Sequence, residues 1–136
     1  MRIMAVDYGD ARTGVAVSDM SGALAGEAWV IQEKDQLEAA RIIAAEAACR
    51  DVGTIVVGYP KNMDGTIGPR AEKSALLAEQ IRGMCGADVV LWDERLTTMS
   101  ANRILADAGK RGKKRKKTVD AVAASLILES YLASLR

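Results

Sequence analysis

The stretch Ile3–Asp19, IMAVDYGDARTGVAVSD, sets two apolar runs on either side of a short turn, and its first run ends on an aspartate with a glycine two positions on. Ile3–Tyr8 and Gly14–Ser18 alternate as paired strands do. Turn chemistry can account for Asp7 and Gly9, because aspartate side chains bond nearby amides and glycine adopts turn conformations. A carboxylate closing a core strand has a second use, as an acid presented at the rim of a sheet. The rest of the chain bears on which use applies.

Downstream, Gly26–Ile31 reads as a third strand and Gln36–Cys49 as a helix of apolar residues at helical spacing. Thr54–Val57 is a short buried strand that empties into GYPKNMDGTIGPR, a loop marked by glycine and proline. Arg70–Met84 reads as a helix with Pro69 suited to its first turn. Val89–Trp92 is a fifth strand running into DERLTT. Met99–Ala108 reads as a helix that Gly109 can end, and Thr118 as the N-cap of a final helix. The order β-β-β-α-β-α-β-α-α predicts an α/β fold, a mixed sheet with helices packed on it. No repeat or linker divides the 136 residues, so one domain over 1–136 is expected.

Composition narrows the chemistry. Histidine is absent, which excludes imidazole bases, Ser-His triads and His-ligated zinc. Cys49 and Cys85 lack CxxC spacing and form no disulfide framework. No run reaches the roughly 18–20 apolar residues of a membrane span, and no signal-peptide pattern opens the chain, so no membrane association and a cytoplasmic location are expected. The net charge of +1 conceals an asymmetry: KRGKKRKK, Lys110–Lys117, holds seven of the 19 basic residues, leaving a net of −6 elsewhere. Such a segment either meets a polyanion at one edge or is a solvated, charged loop.

Three acids stand at the ends of elements: Asp7 after the first strand, Glu94 after the fifth and Asp120 in the first turn of the last helix. Helix-dipole complementation explains Asp120 taken alone. Together the three suit a hard divalent cation, Mg²⁺ or Mn²⁺, which takes oxygen ligands and needs no histidine. Two such ions support phosphodiester hydrolysis. Gly9 would then let a phosphate approach the backbone beside Asp7. Gly68-Pro69-Arg70 opens a helix where amides and the dipole favour phosphate, although an ordinary turn would read the same. No Gly-Lys-Ser/Thr follows these glycines, so this is not a Walker A loop.

Four stretches in register, AVDYGDARTGVAVSD, VVGYPKNMDGTIGPRAEKS, WDERLTTMSA and KKTVDAVAASLILESYL, resemble the YqgF/RuvX family over essentially the whole chain. Its members are described either as Holliday junction resolvases or as nucleases that mature the 5′ end of small-subunit ribosomal RNA. The resemblance implies a ribonuclease H-like, five-stranded mixed sheet in order 3-2-1-4-5, with strand 2 antiparallel and helices on both faces. It puts the family's acids on Asp7, on the Asp93-Glu94-Arg95 motif and on Asp120. Neighbouring strand residues face opposite sides, so only one of Asp93 and Glu94 should reach a metal, and Glu94 is assigned. Substrate contacts are expected from Gly9, Arg12, Asn62, Arg70 and Arg95, and from Lys113, Lys114, Arg115, Lys116 and Lys117 in a mobile arm. Tyr59 and Lys61 depart from leucines usual in the family and remove no ligand.

The expected activity is a metal-dependent nuclease, a hydrolase acting on structured RNA or branched DNA as a monomer or homodimer. Processing of pre-16S rRNA is the first reading and Holliday junction resolution the second. Two rivals remain. Actin- and hexokinase-type ATPases share the DxG turn but need a second domain to close over nucleotide. A non-catalytic nucleic-acid-binding protein would use the basic run but not three converging acids.

Overall fold

The computed structural model describes residues 1–22, 25–96 and 112–135. In chain order the elements are β1 (Arg2–Asp7), β2 (Arg12–Ser18), β3 (Ala25–Gln32), α1 (Gln36–Cys49), β4 (Val52–Tyr59), α2 (Pro69–Arg82), β5 (Asp88–Asp93), a 3₁₀ turn (Glu94–Leu96) and α3 (Gly112–Ser134). They form a five-stranded sheet in the order β3-β2-β1-β4-β5. β2 is antiparallel to both neighbours, while β1, β4 and β5 run parallel. The fold is ribonuclease H-like, with the strand order that the family resemblance implied.

Strand alternation sends neighbouring residues to opposite faces. Met4, Val6, Val15, Val17, Ile55 and Val57 meet Ala40, Ile43 and Ala47 of α1 and Leu77, Ala78 and Ile81 of α2. On the other face Ala5, Ala16 and Val56 meet Ala124, Ile127, Leu128 and Leu132 of α3. Apolar residues thus fill both faces of the central strands, which is why TIVV reads as an unbroken run. Trp92 of β5 ties the sheet edge to α3: its indole donates to Ser130 Oγ at 3.1 Å and its ring meets Tyr131 edge-on at 5.4 Å. Asp35 caps α1 by accepting from the Leu37 amide at 3.1 Å, and Asp51 at φ 57° turns the chain into β4.

Element ends differ from the sequence reading at several points, among them the following three. β5 ends at Asp93, so Glu94 opens the 3₁₀ turn instead of closing the strand. α2 stops at Arg82, with Gly83 as its C-cap, two residues short of Met84. α3 begins at Gly112 and runs through Thr118, because lysine and arginine are good helix formers and outweigh the Thr118 cap signal. Residues 112–117 are therefore helical and belong to the same element as Asp120. Lys110, Thr97 and the helix expected at 99–108 lie outside the described residues. Among those described, no helix is long and apolar enough to cross a membrane.

Candidate active site

The face of the sheet covered by α3 carries the acids. Asp7 follows Ile3 and Ala5 on that face, at the end of the central strand, and pairs across the sheet with Gly14 of β2. On its other side lies β4, where Gly58 pairs with Trp92 of β5. Asp7 is thus flanked by strands that present glycine at its level, and each glycine admits one of the other acids. A Cβ on Gly58 would stand 2.8 Å from the Glu94 carboxyl carbon and 2.7 Å from Ile127 Cδ1. The missing side chain leaves the path by which Glu94 reaches over β4 to hydrogen-bond Asp7. A Cβ on Gly14 would stand 2.7 Å from the carbonyl carbon of Asp120, so the α3 backbone rests directly on β2 at that point.

The electrostatics follow from this packing. Asp7 is pushed well above the ordinary carboxylate range, first by burial and then by the Glu94 carboxylate, with Asp120 acting in the same direction and Arg70 opposing. Glu94 is also raised by burial, an effect offset in part by the Asp7 hydrogen bond and by Arg70. Asp120 is raised by burial, with Arg12 and Arg70 opposing. Arg70, in the first turn of α2, therefore acts on all three acids. Asp120 pairs with Arg12, Oδ2 to Nε at 3.4 Å. Among the described residues no three acids form a ready-made cation cage. The donor set nevertheless fits a hard divalent cation: two oxygen-only side chains share a hydrogen bond in a partly buried recess, where burial disfavours their charged forms and added positive charge would favour them. Asp120 would complete it on leaving Arg12.

Asp93 points away from this recess. Its carboxylate takes a forked pair of hydrogen bonds from Arg95, Nε to Oδ1 at 3.1 Å and Nη2 to Oδ2 at 2.6 Å, which holds it below the ordinary carboxylate range. Arg95 also donates to the Met63 carbonyl at 3.5 Å, so it braces the loop after β4. Asn62 holds the same loop, donating to Thr66 Oγ1 at 2.9 Å and to the Thr66 carbonyl through its amide at 2.9 Å. Gly9 has a sufficient cause in the β1–β2 turn, where a Cβ would overlap the Arg12 carbonyl oxygen. Of the expected substrate residues, Arg12 and Arg70 lie by the acids, while Arg95 and Asn62 shape the neighbouring loop. Lys113–Lys117 occupy the first turns of α3 leading to Asp120. Gly14 and Gly58 were not singled out in the sequence, although glycine inside a strand signals close approach of another group.

A family model described as "RuvX: Holliday junction resolvase" matches residues 1–134. A protein of Geobacillus thermodenitrificans named "Putative pre-16S rRNA nuclease" is 48% identical over 141 aligned positions that cover all of both chains. One of the same name from Halothermothrix orenii is 46% identical over 97% of this chain and 94% of its own. Among solved structures, the Fowlpox virus resolvase in complex with Holliday junction DNA superposes with a TM-score of 0.62 at 15% identity, covering 99% of each chain. Thermus thermophilus RuvC does so with a TM-score of 0.54 at 15% identity, covering 99% of this chain and 96% of its own. At that identity the two structures speak for the fold.

Proposed function

The chain belongs to the RuvX family, and from that membership and the acids at the sheet rim we propose a nuclease that hydrolyses phosphodiester bonds with Mg²⁺ or Mn²⁺. The observation that carries the reading is the hydrogen bond between Asp7 and Glu94, made beside Gly58, where a side chain would collide with the Glu94 carboxyl group. Asp7, Glu94 and Asp120 would hold the cation. When bound, it supplies charge stabilisation at the phosphate under attack and makes a water more acidic. Arg70 faces the same recess and would draw in and orient the scissile phosphate. The basic first turns of α3 would carry the neighbouring backbone phosphates toward Asp120.

The substrate in this reading is the pre-16S ribosomal RNA, which the names of relatives at 46–48% identity mention, with the cut at its 5′ end and the cytoplasm as the place. RNA trimming needs one active centre per cut and works in a monomer. Resolution of a four-way DNA junction is the second reading, favoured by the family description. It calls for a two-fold homodimer to place paired cuts. Cleavage of a precursor 5′ leader and of a four-way junction, side by side with Mg²⁺ or Mn²⁺, separates them. Faster cleavage of the RNA supports the first reading, paired cuts in the junction support the second, and cleavage of neither in any divalent ion overturns both.

A further inference from the structure

Arg12 and Asp120 face each other at the mouth of the acid recess. Arg12 opens β2 immediately after the turn that follows Asp7, and Asp120 sits where α3 rests on Gly14. Their ion pair, 3.4 Å long, leaves the two side chains 31% and 26% exposed, so solvent and a ligand reach it from outside. The α3 backbone at Asp120 rests on Gly14, while the Asp120 side chain pairs with Arg12 and its charge bears on Asp7. Arg70 differs: it acts on all three acids through space and, among the described residues, holds none of them in an ion pair.

We propose that Arg12 is a positioning residue that couples cation binding to nucleic-acid binding. In the free protein it holds the Asp120 carboxylate. A substrate phosphate offers the guanidinium a better forked partner, and Asp120 is then released to join Asp7 and Glu94. The pair acts as a latch that lets the third acid enter only when a phosphate backbone lies at the rim. Coupling of this kind is reciprocal, so the cation tightens nucleic acid by the same factor as nucleic acid tightens the cation. The inference rests on the reading of Asp7, Glu94 and Asp120 as the acids that hold the cation.

The test is a Mn²⁺ titration followed by electron paramagnetic resonance, with the full chain alone and with a 12-nucleotide phosphorothioate strand that keeps its charge and resists cleavage. In the wild type the strand should tighten Mn²⁺ by about tenfold, within the usual range of such couplings. Arg12→Gln should bind Mn²⁺ more tightly than wild type without the strand, and the strand should then add little. Arg12→Lys keeps the charge that holds Asp120 but loses the forked grip on phosphate, so it should bind Mn²⁺ as wild type does without the strand and gain less from the strand. Arg70→Gln calibrates the effect of removing any nearby positive charge. A gain in Arg12→Gln no larger than that in Arg70→Gln would overturn the latch, as would an undiminished coupling in Arg12→Gln. Asp7→Asn should lose Mn²⁺ binding with or without the strand; wild-type affinity there would overturn the underlying cation reading, and the latch with it.

Discussion

Asp7 works against the stability of its own fold. An acid whose folded pKa is raised holds its proton longer in the folded chain than in the unfolded one. Stability therefore falls as pH rises from about 4, the unfolded value, through the raised folded value. Asp7→Asn keeps the shape and removes the charge, so in EDTA at pH 7 it should melt higher than wild type. The gain should shrink as pH approaches about 4, which thermal melts across a pH series would show. A lower melting temperature at pH 7 would mean that the Asp7 environment favours its charged form. Gly58 is the complementary position. Gly58→Ala sets a methyl against the Glu94 carboxyl carbon and Ile127, and overpacking of that kind typically costs about 1–3 kcal/mol. Cleavage should fall by at least about tenfold, one power of ten for each 1.36 kcal/mol added to the barrier. Circular dichroism should stay native, so that an unchanged rate would show that Glu94 needs no such clearance. The place of Asp7 at the end of the first strand was legible because the apolar alternation runs up to it. Gly14 and Gly58 were not, because their meaning lies in what crosses them from residues 36 to 106 positions away in sequence.

α3 joins two opposed demands. Its second half is buried against the sheet through Ala124, Ile127, Leu128 and Leu132, and that burial anchors it. Its first turns hold Lys113, Lys114, Arg115, Lys116 and Lys117, cations at the end where the helix dipole disfavours them. A polyanion laid along this end removes the conflict. At 1.5 Å per residue the backbone of Lys117 lies about 4.5 Å along the axis from that of Asp120, so phosphates bound at this end would lie within one turn of that acid. Replacing Lys113, Lys114, Lys116 and Lys117 with Gln should weaken binding to all sequences alike. If all four lysines contact a duplex, the salt slope, log affinity against log salt, should flatten by roughly 3.6, or about 0.9 per phosphate. Binding measured across a salt series checks it, and an unchanged slope would mark the run as a solvated face. The existence of this helix was legible in the spacing of its apolar half. Its start was misplaced because Thr118 carries a cap signal that the helix-forming lysines override.

The assembled sheet explains why the site cannot exist without the fold. Asp7, Glu94 and Asp120 come from the start, the last third and the end of the chain, and only the order β3-β2-β1-β4-β5 puts them around one strand terminus. The alternation of Ile3–Asp19 and the spacing of the later helices announced a mixed sheet, and the order itself came from the family resemblance. The side-chain pairings, Asp93 with Arg95 and Asp120 with Arg12, depend on which face each residue takes and are readable only in three dimensions. A cation that binds only the folded state raises stability in proportion to its excess, by about 2.7 kcal/mol at a hundred times its dissociation constant. Mn²⁺ should therefore raise the melting temperature of the wild type and leave that of Asp7→Asn unmoved. Equal shifts in both would place the cation elsewhere. The most direct measurement is single-turnover cleavage of a precursor 5′ leader by wild type and Asp7→Asn, at protein concentrations that saturate binding. With binding retained, Asp7→Asn should be slower by on the order of 10³ or more, as expected when a group needed in the transition state is removed. Cleavage by Asp7→Asn within about tenfold of wild type, a barrier change of only about 1.4 kcal/mol, would contradict the assignment of this carboxylate as the centre of the active site.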